Sequence, residues 1–458
     1  MKPPSRTTGL TGFQLALAAL LCIWLTLSLL LNLPGHLSTD SLIQIAEGRA
    51  RIYESYNPPF ISLVFGQLTA VAGGPWLLVL LSCLMMAFSL WRLLASITAP
   101  RRTVLVGVAC LMASPVFLVY PSTVWKDVWF AHLTLLAFAL IPRPTESGRL
   151  WKQGMALLLL AAAMSSRQTG VLAALPCVAA MTLADGGGGG QSTWLRRLPG
   201  AALRLLALVG LVALLSLLVR ATAVQMPGAS FGTGVRLVAI FDISGMLQRT
   251  PEARLLRMQS LGVDTSSLET AARRTFNAER VDTLDFGQNA GFWAVPLGAV
   301  MGQWADLVSA HPHAYLAHRA ETFAWLLGLR QQARCLPVHV GFEREHPWLT
   351  HAGIDEAPSR HAHALYRYAQ VFVGSPYFAP LAWALLSVTI WAAMLRRRQG
   401  RHPVALLQCA GLVYLASYAP IGMSCDFRYT YFSVLAAAVG LMYLMASRPP
   451  QAAEARVA

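Results

Sequence analysis

Apolar residues in this chain gather into long runs closed by charged or turn-forming residues, and the runs recur from one end to the other. A helix of about 17–25 such residues crosses the hydrocarbon of a bilayer. Ten runs read as spans: 12–32, 76–97, 103–121, 128–141, 153–165, 168–184, 205–222, 377–395, 403–420 and 429–447, of which the fourth to sixth are short. A further apolar stretch, Phe60 to Val71, ends at Gly73-Gly74-Pro75 and is too short to cross comfortably. Making it a span would also carry Arg101 and Arg102 to the outside. It therefore reads, with Ser41–Arg51, as helix lying on the outer membrane surface or re-entering it. Between the seventh and eighth runs lies one sizeable soluble segment, 223–376, with helical patterns at Ser266–Glu279 and Ala299–Leu329 and turn-rich stretches at Met226–Gly234 and His346–Pro358. The pattern predicts an all-α polytopic membrane protein of about ten transmembrane helices with a periplasmic mixed segment. Its organisation is a membrane module over 1–222 carrying the first outer loop and the candidate site, the soluble segment 223–376, and C-terminal transmembrane helices over 377–458.

Composition agrees: 55% of the 458 residues are apolar, 12% are charged, and the mean hydropathy is +0.51. The net charge of +15 suggests nucleic acid until it is located. With the N-terminus placed in the cytoplasm, cytoplasmic segments hold 16 bases against three acids, the opposite short loops hold five of each, and 223–376 holds 13 of each. The excess is a positive-inside signal. No basic face remains on the soluble part, which excludes a nucleic-acid partner. No acid falls inside a proposed span, as expected when a carboxylate at mid-bilayer costs about 2.5 kcal/mol or more. The first run exceeds a signal-peptide core and lacks a small-residue cleavage site, so it reads as a retained anchor. The predicted location is the bacterial inner membrane, multi-pass, with both termini cytoplasmic.

Five of the seven cysteines fall in spans and read as small packing residues. Cys335 and Cys425 fall on the outer side, where an oxidising compartment permits a bridge, and the sequence leaves their pairing open. Eight of the eleven histidines lie in 223–376, including His311-x-His313 and His361-x-His363. No cysteine or carboxylate completes a ligand set around them, so they read as surface or capping residues rather than a metal site. The Gly186–Gly190 run reads as a flexible cytoplasmic linker.

Three polar constellations fall at one outer level. They are Ser38-Thr39-Asp40-Ser41 with Tyr56-Asn57-Pro58-Pro59 behind it, Trp125-Lys126-Asp127, and Ser166-Arg167-Gln168, joined from the far end of the chain by Cys425-Asp426-Phe427-Arg428-Tyr429. Each has a plain reading. Thr39 or Asp40 caps a helix, Lys126 and Asp127 form an interfacial pair, and Arg167 and Arg428 snorkel to headgroups.

Together, these residues resemble the GT-C superfamily of membrane glycosyltransferases, most closely the bacterial branch with protein O-mannosyltransferases and the lipid A aminoarabinose transferase. That family has an acid in the first outer loop, a His-Pro-Pro-type element opening a surface helix, a span ending in paired arginines, and an acid at the outer end of the third span. The matching residues are Asp40, Asn57-Pro58-Pro59, Arg101-Arg102 and Asp127, with asparagine standing where the family often has histidine. The resemblance implies a polyprenyl-phosphate-linked sugar donor and a glycolipid, polysaccharide or protein acceptor. It requires no cofactor and leaves a divalent metal open.

The chemistry asks for the same residue types. Displacing a polyprenyl phosphate from a sugar carbon needs a carboxylate to take the acceptor's hydroxyl proton, and Asp40 is the candidate, with Asp127 beside it. The leaving phosphate needs cations in a partly dehydrated site, for which Arg167, Lys126 and Arg428 are placed. Tyr56, Asn57 and Tyr429 read as substrate-binding. A secondary transporter or lipid flippase is the main rival, although internal repeats and mid-membrane charges are missing. A non-catalytic envelope assembly factor is the other.

Overall fold

The computed structural model describes residues 11–53, 57–95, 97, 104–143, 146–184, 197–225, 230–284, 295–330, 335 and 337–447. Arg101, Arg102, Tyr56 and the Gly186–Gly190 run lie outside the described residues. Among those described, every regular element is helical, and extended chain occurs only as isolated bridges. The first half comprises α1 (Gly12–Asn32), α2 (Thr39–Ala50), α3 (Pro59–Ala72), α4 (Trp76–Leu94), α5 (Val104–Ala113), α6 (Pro115–Leu118), α7 (Lys126–Ala139), α8 (Arg149–Ser166), α9 (Gly170–Ala184) and α10 (Leu198–Thr222). The second comprises α11 (Ser230–Arg249), α12 (Leu256–Gln259), α13 (Ser266–Arg274), α14 (Leu297–Ala310), α15 (Pro312–Leu326), α16 (Pro347–Ala352), α17 (Ala362–Gln370), α18 (Pro380–Arg396), α19 (Pro403–Ala416), α20 (Tyr418–Ile421) and α21 (Tyr431–Ala446).

The chain is an all-α, multi-pass membrane protein. All ten apolar runs are helical, but only five helices among the described residues are long and apolar enough to cross a membrane, six if one bent pair counts as a span. The run 103–121, expected as one straight span, is that pair: α5 and the stretch Pro115–Ser122 meet at 73°. Pro115 causes the bend, because its ring has no N–H and pushes the preceding residue out of the helical region. Ser114 accordingly sits extended at ψ 155°. The helices α7, α8, α9 and α18 do not meet that length and composition.

Burial sorts the helices by what surrounds them. In α10 only Leu208 and Val219 are buried, and Leu203, Leu206, Val209 and Leu217 stand exposed, as they would against lipid. In α7, 12 of 14 residues are buried, and α21 is enclosed almost as fully. A helix apolar all round belongs in the interior. The helices α2 and α3 cross so closely that a Cβ at Gly48 would stand 1.7 Å from the Ser62 carbonyl oxygen and one at Gly66 2.2 Å from Gly48.

Segment 223–376 divides in two. Residues from Ala239 to Leu307 form a separate small core around Phe241, Met246 and Leu268, whereas Leu326, Val338, Leu349, Ile354 and Leu365 join the main core. The turn-rich reading of Met226–Gly234 is corrected over 230–234, where α11 has begun despite its glycines, and 226–229 lie outside the described residues. The helical pattern Ala299–Leu329 is two helices, parted at His311-Pro312 where the backbone of His311 leaves the helical region.

Candidate functional site

The first outer loop is stapled to the long segment by two histidines, His36 buried and His339 half-buried. The Gly341 N–H donates to His36 Nδ1 at 3.0 Å, which leaves the other ring nitrogen of a neutral His36 to donate to Asn32 Oδ1 at 2.7 Å. His339 Nε2 lies 2.9 Å from the Leu37 carbonyl. Burial, helped by the nearby His339, pushes His36 down to about 3, so the staple stays neutral at pH 7. The Asp40 loop and residues 337–346 therefore occupy one end of the bundle. Neither histidine carried a sequence signal beyond its type.

Ser38 caps α2, accepting from the Ser41 N–H, so the capping role read for Thr39 or Asp40 falls to their neighbour. Asp40 is in the first turn, where the helix dipole favours an anion. Its Oδ2 lies 2.6 Å from Arg428 NH1, and the same guanidinium is 3.5 Å from Asp426. Arg428 also lies over Trp125 and Tyr429, each ring centroid 5.2 Å away. Trp125 is fixed by donating from its indole N–H to Ser38 Oγ at 2.8 Å.

Asp127 does not pair with Lys126, as the plain reading had it. Its buried carboxylate is ion-paired with Arg167, whose guanidinium lies against the stacked rings of Tyr418 and Tyr429 at 5.4 and 4.9 Å from their centroids. Asp127, read as catalytic, is thus held in this ion pair. Asn57, read as substrate-binding, is buried instead, and its Oδ1 accepts from Lys126 Nζ at 2.6 Å and from Gln44 Nε2 at 2.7 Å. It aims the lysine. Charge links the groups as well, since Asp40, Arg167 and Arg428 all act on the Lys126 ammonium.

Lys126, Arg167, Tyr418 and Tyr429 line a cavity of about 610 Å³. α11 contributes Leu237 and Val238 to its lining, with Trp304 from α14. The carboxylate of Asp242 borders the cavity and was missed by sequence reasoning. It is wholly buried and holds His318 at 3.2 Å, Arg319 at 2.6 Å and the Trp304 indole N–H at 2.9 Å. Burial chiefly lowers the His318 pKa despite that carboxylate. The available signal was one acid inside the apolar run Val238–Met246. Arg319 in turn donates to the Gly422 carbonyl at 2.8 Å, and Val281 N–H to that of Met423 at 2.9 Å. Cys335 and Cys425 are disulfide-bonded with Cα atoms 5.8 Å apart. The long segment therefore clamps the loop that carries Arg428.

No cluster of site residues forms a metal-ligand set among the described residues. The one group found, Glu279, Cys335 and Cys425, includes the two bonded cysteines. No protein-family model, curated protein or solved structure matches the chain.

Proposed function

We propose that this protein is a glycosyltransferase that takes a sugar from a polyprenyl-phosphate donor and passes it to an acceptor hydroxyl at the periplasmic face of the inner membrane. One observation carries the reading: Lys126 and Arg167 meet at a cavity whose lining is otherwise largely apolar, with Leu237, Val238 and Met301 among it. An amphiphile with a phosphate head fits that lining, and a soluble anion has no use for its apolar part. The wider GT-C likeness, the ten-span topology and the acceptor class belong to the same proposal.

In the proposed step the acceptor oxygen bonds to the sugar carbon, the bond from that carbon to the phosphate oxygen breaks, and its electron pair leaves with the phosphate. The acceptor proton goes to Asp40. In the resting site Arg428 occupies Asp40 Oδ2. An arriving phosphate competes for that guanidinium, which both stabilises the leaving group and releases the base. Lys126 and Arg167, held by Asn57 and Asp127, are positioned without further reorganisation.

The test is transfer of radiolabelled sugar from polyprenyl-phosphate donors to membrane acceptors by the purified, folded protein. Incorporation that disappears in Arg428→Ala supports the reading. A folded protein that incorporates nothing from any such donor overturns it in favour of a transporter or an assembly factor. Cysteine labelling at the exposed positions Thr39 and Ser266 should report the periplasmic side for both.

A further inference from the structure

The end of the bundle away from Asp40 contains a second cavity, of about 400 Å³, that glycosyl transfer does not use. It lies where α4, α7 and α9 end and α19 begins, and the 14 residues of α7 separate it from Lys126 by about 20 Å. Apolar side chains such as Phe138 and Ile141 wall it. Its charged lining is cationic, consisting of Arg92, Arg143 and Arg401, and no carboxylate lines it.

The charge there is not balanced by its neighbours. Glu146 is the acid at this end among the described residues, and it lies 2.8 Å from Lys152, 3.0 Å from Arg92 and 3.7 Å from Arg143. One carboxylate thus serves three cations. Arg401 makes no ion pair among the described residues. The start of α19 adds the positive end of a 14-residue helix. Its cap, His402, accepts from the Val404 N–H through Nδ1 at 3.2 Å. Burial and the Arg143 charge hold His402 down to about 4, so at pH 7 the ring is neutral and its proton sits on Nε2. That nitrogen is 3.3 Å from the Tyr443 hydroxyl oxygen, which leaves the tyrosine proton for an acceptor inside the cavity.

We propose that this cavity binds a phosphate-bearing anion, either the headgroup of an anionic phospholipid or free phosphate. Arginine forks and a hydroxyl offer donors from several directions, which suits the several oxygens of a phosphate better than a planar carboxylate. Basic pockets between membrane helices recognise lipid headgroups by the same means.

The test uses full-length protein in detergent. Native mass spectrometry with equal phosphatidylglycerol and phosphatidylcholine reads the lipid arm, and equilibrium dialysis with labelled inorganic phosphate reads the soluble arm. Selective retention of phosphatidylglycerol, falling tenfold or more in Arg401→Gln and further in Arg143→Gln/Arg401→Gln, establishes a lipid site. The same pattern with inorganic phosphate alone establishes a soluble-ligand site. Arg401→Gln removes no ion pair, so misfolding does not explain a loss in that variant. Absence of both ligands from the wild type, or unchanged binding in Arg401→Gln and the double variant, overturns the proposal. Sugar transfer is not read in either arm, so its failure is distinguishable.

Discussion

At the basic end of the bundle one carboxylate, Glu146, gathers Arg92, Arg143 and Lys152, and the remaining arginines largely hold backbone carbonyls, as Arg149 holds those of Arg143 and Ala184. At the Asp40 end each arginine has carboxylates of its own, Arg428 with Asp40 and Asp426 and Arg167 with Asp127, and aromatic rings cover both arginines. The first arrangement ties helix ends together and leaves a surplus. The second holds each cation in a fixed place with little surplus, as expected where position matters more than attraction. The depth of burial differs too: the Asp127 side chain is 1% exposed and that of Glu146 17%. Equivalent substitutions at the two ends should therefore have unequal costs.

The largest difference should be in chemistry. Asp40→Asn keeps the volume and a hydrogen-bond acceptor for Arg428 but removes the proposed base. General-base catalysis contributes about 10²–10⁴-fold, and sugar transfer should fall by that much while thermal stability changes by about 1 kcal/mol or less. Wild-type transfer by Asp40→Asn would remove Asp40 from the reaction. Next comes Asp127→Asn, which strands the Arg167 guanidinium. Removing one member of a buried pair costs about 3–5 kcal/mol. Thermal unfolding in detergent should show a large fall in midpoint, and a midpoint within a degree or two of wild type would show that Arg167 finds other compensation. Smaller again is Arg167→Lys, which keeps the charge and loses the planar fork against Tyr418 and Tyr429. Turnover should fall about tenfold, equivalent to about 1.4 kcal/mol in the transition state. Equal turnover would leave Lys126 as the main phosphate ligand.

How much of this was legible follows from what sequence patterns encode. Hydropathy located the ten apolar runs as helices, because burial in lipid and residue type are directly related. It did not reveal which runs are broken: Pro115 looks like any proline until the 73° bend is seen. The residue types of the site were also legible, since Asp40, Lys126, Arg167, Arg428 and Tyr429 all fall at one level. Their pairings were not. Asp127 and Arg167 are 40 positions apart and Asp40 and Arg428 nearly 400, and only the packing of α7, α8 and the α20–α21 loop decides who meets whom. Neighbours in sequence were the wrong guess for Lys126 because Asn57, from another loop, reaches it first. Asp242 was hidden for a related reason, as its partners His318 and Arg319 come from a distant helix.

The smallest expected effect lies at Glu146, and it sharpens the comparison through pH. Burial alone would raise this carboxyl, but hydrogen bonds from Arg92 and Lys152 and the charges of Arg92 and Arg143 overcome it and hold the pKa at about 2, below the ordinary 4.5. A depressed carboxyl stabilises the folded state at pH values above 4.5, and that contribution is lost as the pH falls from about 4.5 towards 2. Solvent reaches the cluster and screens it, so the contribution is taken as about 1 kcal/mol rather than the value of a fully buried pair. Glu146→Gln should therefore lower thermal stability slightly and equally at pH 7 and pH 5.5, with the difference from wild type shrinking below pH 4.5. A loss as large as that of Asp127→Asn, or one independent of pH down to 2.5, would show that Glu146 acts through packing and that the two ends of the bundle are held in the same way.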